Sequence, residues 1–445
     1  MKPLVLVTAP VATRSGYGSH SRDIVHSLID MDKFDIKIMS VRWGNCSMNA
    51  LDEHDERDKR IIDRLMTEPR LPRQPDIHFH IVVPNEFMIN AKYNIGITAG
   101  IESTVVHQTW LEGANRMDLL LVPSNFTKQG FINTTFQRVD QQTGQKGPDL
   151  RLEKAIEVLF EGADLNIYKK TNEFSPEIVS EFEQIPERFN FLYTGHWLQG
   201  NLGEDRKDTG MLVKTFLETF KNVKDAPGLI MKTSGATFSV IDREEILSKI
   251  RDIRSTVYGE LPNIYLLHGD FTDDEMNQLY NHPKVKAHVS LTHGEGFGRP
   301  LLEASLSEKP VIAPNWSGHT DFLEKDMSIM LPGSMSSVPT AAFPKSMFVE
   351  GMQWFTANYP NACIVMMDVF KNYAKYLIGA KKQSLHSKSF SLENMTKELS
   401  QILDKYLPKF EEQPQQVNLK LPQLKKVEDT KPSGLDIKLP KLTKV

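Results

Sequence analysis

Cysteine is almost missing from this chain. Cys46 and Cys363 stand far apart in 445 residues. Two distant thiols make neither a disulfide framework nor a zinc pattern, and they fit a reducing compartment. No apolar run approaches the length of a bilayer span. The N-terminal run from Leu4 to Ala12 is short and leads straight into Arg14-Ser15-Gly16. It reads as a first strand rather than a signal peptide, and the expected location is cytoplasmic. An excess of charge of either sign is missing too, with 53 basic residues against 57 acidic ones. A formal net charge of −4 argues against a broad nucleic-acid surface while leaving room for a local basic groove. What remains, 40% hydrophobic and 25% charged residues, is the composition of a globular protein. Its length exceeds one core, so two domains are expected.

One stretch organises the rest: Val289 to Leu323, VSLTHGEGFGRPLLEASLSEKPVIAPNWSGHTDFL. An apolar run ends at Leu291, and a glycine-rich turn follows. Leu301, Leu302, Ala304 and Leu306 then repeat at helical spacing, and Pro310 to Ala313 is apolar again. That is strand, turn, helix, strand. Pro300 suits a first helical turn, and Gly296 and Gly298 allow close approach or positive φ. Free N–H groups at the helix start favour an anion. Glu295 and Glu303, with seven residues between them, repel phosphate but accept hydrogen bonds from sugar or ribose hydroxyls.

This stretch resembles the EGFGxPxxEA signature of retaining glycosyltransferases of the GT-B fold, in particular family 4. The resemblance implies that Glu303 holds the nucleotide ribose and Glu295 faces the sugar being transferred. It implies a nucleotide-sugar site lined by Gly296, Phe297, Gly298, Arg299 and Pro300. The match continues through EKPVIAPNWSGHTDFL, with Asp321 where the family has Glu.

The first half alternates strands and helices. Pro3 to Thr8 reads as a buried parallel strand. A loop with Gly16 and Gly18 precedes apolar residues at helical spacing, Ile24, Val25, Leu28 and Ile29. It resembles the family's N-terminal glycine loop at the nucleotide-sugar diphosphate. Phe34 to Val41, Ile77 to Val83, Asp118 to Ser124 and Ala155 to Phe160 read as further strands. Asp52 to Arg73 reads as solvated helix and loop, and Trp110 to Met117 as a helix. Gln137 to Pro148 is polar and aperiodic, a flexible loop. His80 lies in an apolar run, where packing is the commoner role. The family places an acidic residue near Glu102 on the acceptor side of the cleft, and Glu102 and His80 are the acceptor-side candidates.

In the second half Phe189 to Thr194 opens a new sheet. A long polar loop, Gly195 to Gly210, ends in Arg206-Lys207 just before a helix. Two cations disfavour the helix dipole unless a polyanion is bound. Lys207 falls in register with the family lysine, and Arg206 matches the Arg-Lys form of some members, so the resemblance makes both diphosphate ligands. Gly228 to Lys232 and Asn263 to His268 are strands. Thr272, with Glu275 three residues on, is a capping box. Ser334 to Pro344 reads as a polar loop, Val365 to Leu377 as a helix, and Ser391 to Leu407 as a helix capped by Ser391. The tail holds two similar segments, Leu419 to Val427 and Ile437 to Val445. It is expected to be disordered, or to dock a protein partner by strand addition.

The expected architecture is therefore α/β: GT-B, two Rossmann-like doubly wound domains facing across a cleft. Residues 1–165 form the acceptor-side domain, 166–187 a linker, and 188–350 the nucleotide-sugar domain. Residues 351–410 are bracing helices and 411–445 a disordered tail. The expected activity is glycosyl transfer from a nucleoside-diphosphate sugar to an acceptor hydroxyl with retention. Arg206, Lys207 and Glu295 would form the catalytic set. The acceptor is a glycan, a protein or a small molecule. No cofactor or metal is expected, because protein cations face the leaving phosphate. A viral-type DNA-base glycosyltransferase ranks lower, as does a non-catalytic scaffold subunit. An epimerase or phosphorylase on the same fold is a further enzyme rival.

Overall fold

The computed structural model describes residues 2–68, 70–139, 143–198, 200–235, 237–344 and 347–410. The tail from 411 lies outside the described residues, and with it the expectation of disorder or docking.

The first sheet holds β1 (Leu4–Ala9), β2 (Asp35–Ser40), β3 (Ile77–Ile81), β4 (Tyr93–Ile97), β5 (Leu119–Val122) and β6 (Ala155–Val158), in the order β2-β1-β3-β4-β5-β6. The second holds β7 (Asn190–His196), β8 (Gly228–Ser234), β9 (Ile264–Leu267), β10 (Val285–Val289), β11 (Val311–Pro314) and β12 (Ile329–Leu331), in the order β12-β11-β10-β7-β8-β9. Every pairing in both sheets is parallel. Between strands run α1 (Gly16–Asp30), α2 (Glu56–Ile62), α3 (Gln108–Ala114), α4 (Asn125–Asn133), α5 (Pro176–Glu183), α6 (Thr209–Phe220), α7 (Val240–Ser255), α8 (Asp273–Asn281) and α9 (Arg299–Ser305). These are two doubly wound α/β sheets. Each has one place where the strand order reverses, β1/β3 in the first and β7/β10 in the second. Loops leave such a point in opposite directions and open a crevice at the carboxyl edge.

Strand period sorts the second core into two layers. Phe191, Tyr193, Leu229, Met231 and Ile312 face α6, α7 and the later helix α10 (Tyr359–Lys371). Their neighbours Leu192, Ile230, Val311 and Ala313 face α5, α8 and α9. Burial on both faces is why these strands read as unbroken apolar runs rather than alternating ones.

After α10 come α11 (Tyr373–Ser387) and α12 (Leu392–Tyr406). Ser305 on α9 donates to Ser387 on α11 at 2.7 Å. The next helix packs on the first sheet's side, with Ser27 of α1 2.7 Å from Thr396 of α12, and Tyr406 donating to Glu157 on β6 at 2.6 Å. Where the chain crosses, Ala163 N donates to Phe390 O and Leu392 N to Ala163 O, at 2.9 and 2.8 Å. A Cβ on Gly162 would lie 2.6 Å from Leu392 Cα, so that position tolerates only glycine.

Three expectations change. The polar stretch after Leu331 is not all loop: β13 (Gly333–Ser337) pairs antiparallel with β14 (Gln353–Ala357). The sequence Gly-Ser-Met-Ser-Ser shows no apolar alternation because most of β13 is exposed. The helix expected over Val365 to Leu377 is two helices, broken at Asn372 (φ −123°, ψ 35°). Apolar spacing runs through the break, so only the backbone reveals it. The loop at 137–148 is pinned among its described residues, by antiparallel bridges Phe136–Leu150 and Val139–Lys146. The long helix α7, absent from the sequence reading, buries only Ile246, Ile250 and Ile253, too thin a stripe to stand out. Both caps hold: Ser391 accepts from Asn394 N, and Thr272 with Glu275 forms the capping box. Among the described residues no helix is long and apolar enough to cross a membrane.

Candidate functional site

The crevice of the second sheet lies between the loops leaving β7 and β10. Asp205 Oδ2 accepts Thr209 N at 3.0 Å, and Asp208 takes a left-handed conformation (φ 51°). This tight turn sets Arg206 and Lys207 just ahead of α6. Arg206 O accepts His293 N at 3.0 Å, locking one loop to the other. Lys207 Nζ then reaches both oxygens of Glu295, at 2.5 and 2.6 Å. The Glu295 backbone is fixed as well. Its N–H donates to Ser317 Oγ at 2.9 Å, and its C=O accepts Gly318 N at 2.9 Å. Ser317 has φ 79°, a strained conformation for a non-glycine, of the kind that clusters at functional sites. Burial pushes the Glu295 carboxyl up, but Lys207 and then Arg206 outweigh it and hold it below the ordinary range.

The first sheet supplies the facing wall. Glu102 Oε1 accepts Arg206 Nη1 at 2.7 Å, with both side chains 19% exposed. A Cβ on Gly296 would sit 1.9 Å from Ala99 O, so only glycine lets these turns meet. Ser124, the N-cap of α4, also donates to Gly296 O at 2.5 Å. Asp321 accepts Asn125 N at 2.8 Å, tying the second sheet to the same helix start.

A second cluster lies along α9. Arg299 donates to Glu303 Oε1 through Nε at 2.8 Å and to Asp23 Oδ2 of α1 through Nη1 at 2.5 Å. Tyr280 OH donates to Glu303 Oε2 at 3.3 Å. Burial opposes the Arg299 charge, but Asp23 and then Glu303 more than restore it, so its pKa rises. Burial pushes Glu303 up to about 7 despite Arg299, and pushes Glu161, beside the same cluster, to about 7 as well.

Those two raised carboxylates make stability depend on pH. Their folded values exceed the ordinary 4.5, so between those values the folded chain holds protons that the unfolded chain has released. The contribution is full below the unfolded pKa and is lost as pH rises through about 7. Glu161→Gln cannot ionise. It should stabilise the chain at pH 8 by on the order of 2 kcal/mol and change little at pH 5. Thermal melts at the two pH values check this, and an equal shift at both would contradict it.

No protein-family model matches the sequence, and no curated protein matches it. Solved structures do match. HepE of Anabaena, in complex with UDP and glucose, superposes with a TM-score of 0.56 at 14% identity, covering 91% of this chain and 100% of that one. Sucrose-phosphate synthase of Thermosynechococcus elongatus gives a TM-score of 0.58 at 11% identity, covering 91% and 99%. A glycosyltransferase of Rickettsia africae gives 0.55 at 13%, covering 91% and 99%. The chain has the GT-B fold. At these identities the likeness is one of architecture.

Set in the GT-B frame, the residues singled out in the sequence fall into three groups. Arg206, Lys207, Glu295 and Glu102 meet in one cluster. Arg299 and Glu303 form the neighbouring one, joined by Asp23. The rest serve geometry. Gly298 (φ 99°) is the left-handed cap of α9, and Pro300 sits in its first turn. Phe297 points into the core, 4.9 Å from Phe322. Gly16 and Gly18 lie in the first turn of α1 rather than in a loop. Ser15 caps that turn, a Cβ on Gly18 would lie 2.2 Å from Thr13 O, and Gly16 borders open space. His80 is buried in β3, accepts Met88 N at 3.1 Å and packs by Phe87 and His78. Burial pulls it down to about 4. Asp23, Tyr280, Glu161 and Ser317 were not legible as site residues, since each gains meaning only from a partner distant in sequence.

Proposed function

We propose that this chain is a nucleotide-sugar-dependent glycosyltransferase acting with retention of configuration in the cytoplasm. The observation that carries the reading is the part-buried pairing of Lys207 with Glu295 and of Arg206 with Glu102 at the strand-order reversal. Two adjacent cations held between sheets by exchangeable carboxylates suit a diphosphate, which would take over both. The acceptor is a glycan, a protein or a small molecule with a free hydroxyl.

In the reaction the bond between the sugar's anomeric carbon and the phosphate oxygen breaks, and the electron pair leaves with the phosphate. Lys207 and Arg206 stabilise the charge that grows there, which is worth several kcal/mol in a dry cleft. The acceptor oxygen bonds to the anomeric carbon, and its proton passes to the departing phosphate on the same face. Glu295 orients sugar hydroxyls and is not a nucleophile. Glu303, which already accepts from Arg299 and Tyr280, would accept from the ribose. These cations supply the charge that a metal would otherwise bring.

The test is a panel of nucleoside-diphosphate sugars with mixed acceptor hydroxyls, read as released nucleoside diphosphate and product anomer. Product with an inverted anomer refutes retention, and no transfer from any donor refutes the activity. Glu102 competes with phosphate for Arg206, so Glu102→Gln should tighten nucleoside-diphosphate binding by about three- to tenfold. Calorimetric titration checks this, and an unchanged or weaker affinity would contradict the competition.

A further inference from the structure

Between Asp368 and Glu393 the chain carries Lys371, Lys375, Lys381, Lys382 and Lys388 and not one carboxylate. In a chain of net charge −4 that is a local reversal. Most of the stretch is α11. Its inner face buries Ala380, Gln383, Ser384 and Ser387, and Ser384 donates to Leu306 O at 3.2 Å. Helical spacing puts Ala374, Ile378 and Leu385 on the opposite face. Ile378 is 67% exposed and Leu385 68%. The same spacing sets Lys375 and Lys382 along one side of this apolar line and Lys381 and Lys388 along the other. All five lysines are exposed. Two carboxylates reach the helix, Asp368 to Lys375 at 3.2 Å and Glu324 to His386 at 3.7 Å. Among the described residues, Lys371, Lys381, Lys382 and Lys388 pair with no carboxylate. None of these side chains belongs to the site described above.

We propose that α11 docks this protein on an anionic bilayer surface, with Ile378 and Leu385 entering the boundary between headgroups and acyl chains and the flanking lysines meeting the lipid phosphates. The helix is too short and too charged to span a bilayer, and it has the make-up of one that lies on it: a narrow aliphatic line, lysines on both sides and no acid. Lysine stems can lie along the apolar line while their ammonium groups stay at headgroup level. The two side-chain types together select the occupant. A soluble polyanion would engage the lysines but gain nothing from burying Ile378 and Leu385. A second copy of this chain would cover the aliphatic line but bring lysines against lysines. An anionic membrane satisfies both. The inference concerns where the protein sits and does not depend on its activity.

The experiment is co-sedimentation of the full chain with vesicles of phosphatidylcholine alone or with about 30% phosphatidylglycerol, repeated for Ile378→Ser with Leu385→Ser and for Lys381→Glu with Lys382→Glu. Wild type should bind the anionic vesicles about tenfold or more tightly than the neutral ones, and added salt should weaken that binding. Each double variant should lose about tenfold on anionic vesicles. The substituted side chains are exposed, so both variants should melt as the wild type does. Equal binding to the two vesicle types, or none to either, overturns the inference. So does wild-type binding by both variants, which would place the contact elsewhere in the chain. Loss in the lysine variant with the serine variant unchanged would mean a surface that gathers polyanions without entering a bilayer, and overturns it too. A dimer broken by the serine variant, without vesicle binding, would give the face to a second copy and overturn it as well.

Discussion

Replacing Lys207 by alanine should lower kcat/KM for glycosyl transfer by about 10²–10³. Two losses act together. On the proposed mechanism the developing charge on the leaving phosphate loses the Lys207 ammonium, and Glu295 loses the partner that touches both its oxygens. The Glu295 side chain is 11% exposed, so water replaces that partner poorly. Arg206 stays in place through Glu102, so binding of the free nucleoside diphosphate should fall less, by about tenfold. The split separates transition-state stabilisation from simple anchoring: kcat must fall more than ground-state affinity. Steady-state kinetics beside a binding titration measure both. Equal losses would make Lys207 an anchor only.

Gly296→Ala carries the second large effect, and it acts through the backbone. The added methyl would lie 1.9 Å from Ala99 O, and backbone at a sheet edge has no flexible end to swing aside. The two turns must separate by an ångström or more, straining the hydrogen bond from Ser124 to Gly296 O. The same shift parts Arg206 from Glu102 and moves the two walls of the site out of register. A displacement of that size costs about 100-fold in rate where geometry decides catalysis. Gly296→Ala should therefore lose about that much kcat while each sheet stays folded, seen as retained far-ultraviolet dichroism. Full activity in this variant would mean that the walls need not meet.

The contrast between these positions shows what a sequence can carry. Glu295 and Glu303 were legible because their spacing across a strand, turn and helix is local, and glycine and proline mark the turn. Thr272 and Ser391 were legible as caps for the same reason, since a cap satisfies an N–H three residues on. Most strands of both sheets were legible because burial on two faces leaves them short, largely apolar runs, whereas the three-residue β12 was too short to show a pattern. Asp23 was not. It lies in α1 and matters only because Arg299, 276 residues later, folds against it. The β13–β14 hairpin was hidden because its first strand faces water. The turn before α6 is intermediate: its two cations were visible, but Asp205, whose carboxylate accepts the first helical N–H and holds the turn, looked like one more charge in a polar loop.

The central claim is that a diphosphate takes the place of two carboxylates. A crystal structure of the full chain with a nucleoside diphosphate tests it most directly. The account predicts phosphate oxygens within hydrogen-bond distance of Lys207 Nζ and the Arg206 guanidinium, with Glu102 released from Arg206. A nucleotide bound elsewhere, with the Arg206–Glu102 and Lys207–Glu295 pairs both intact, would contradict it.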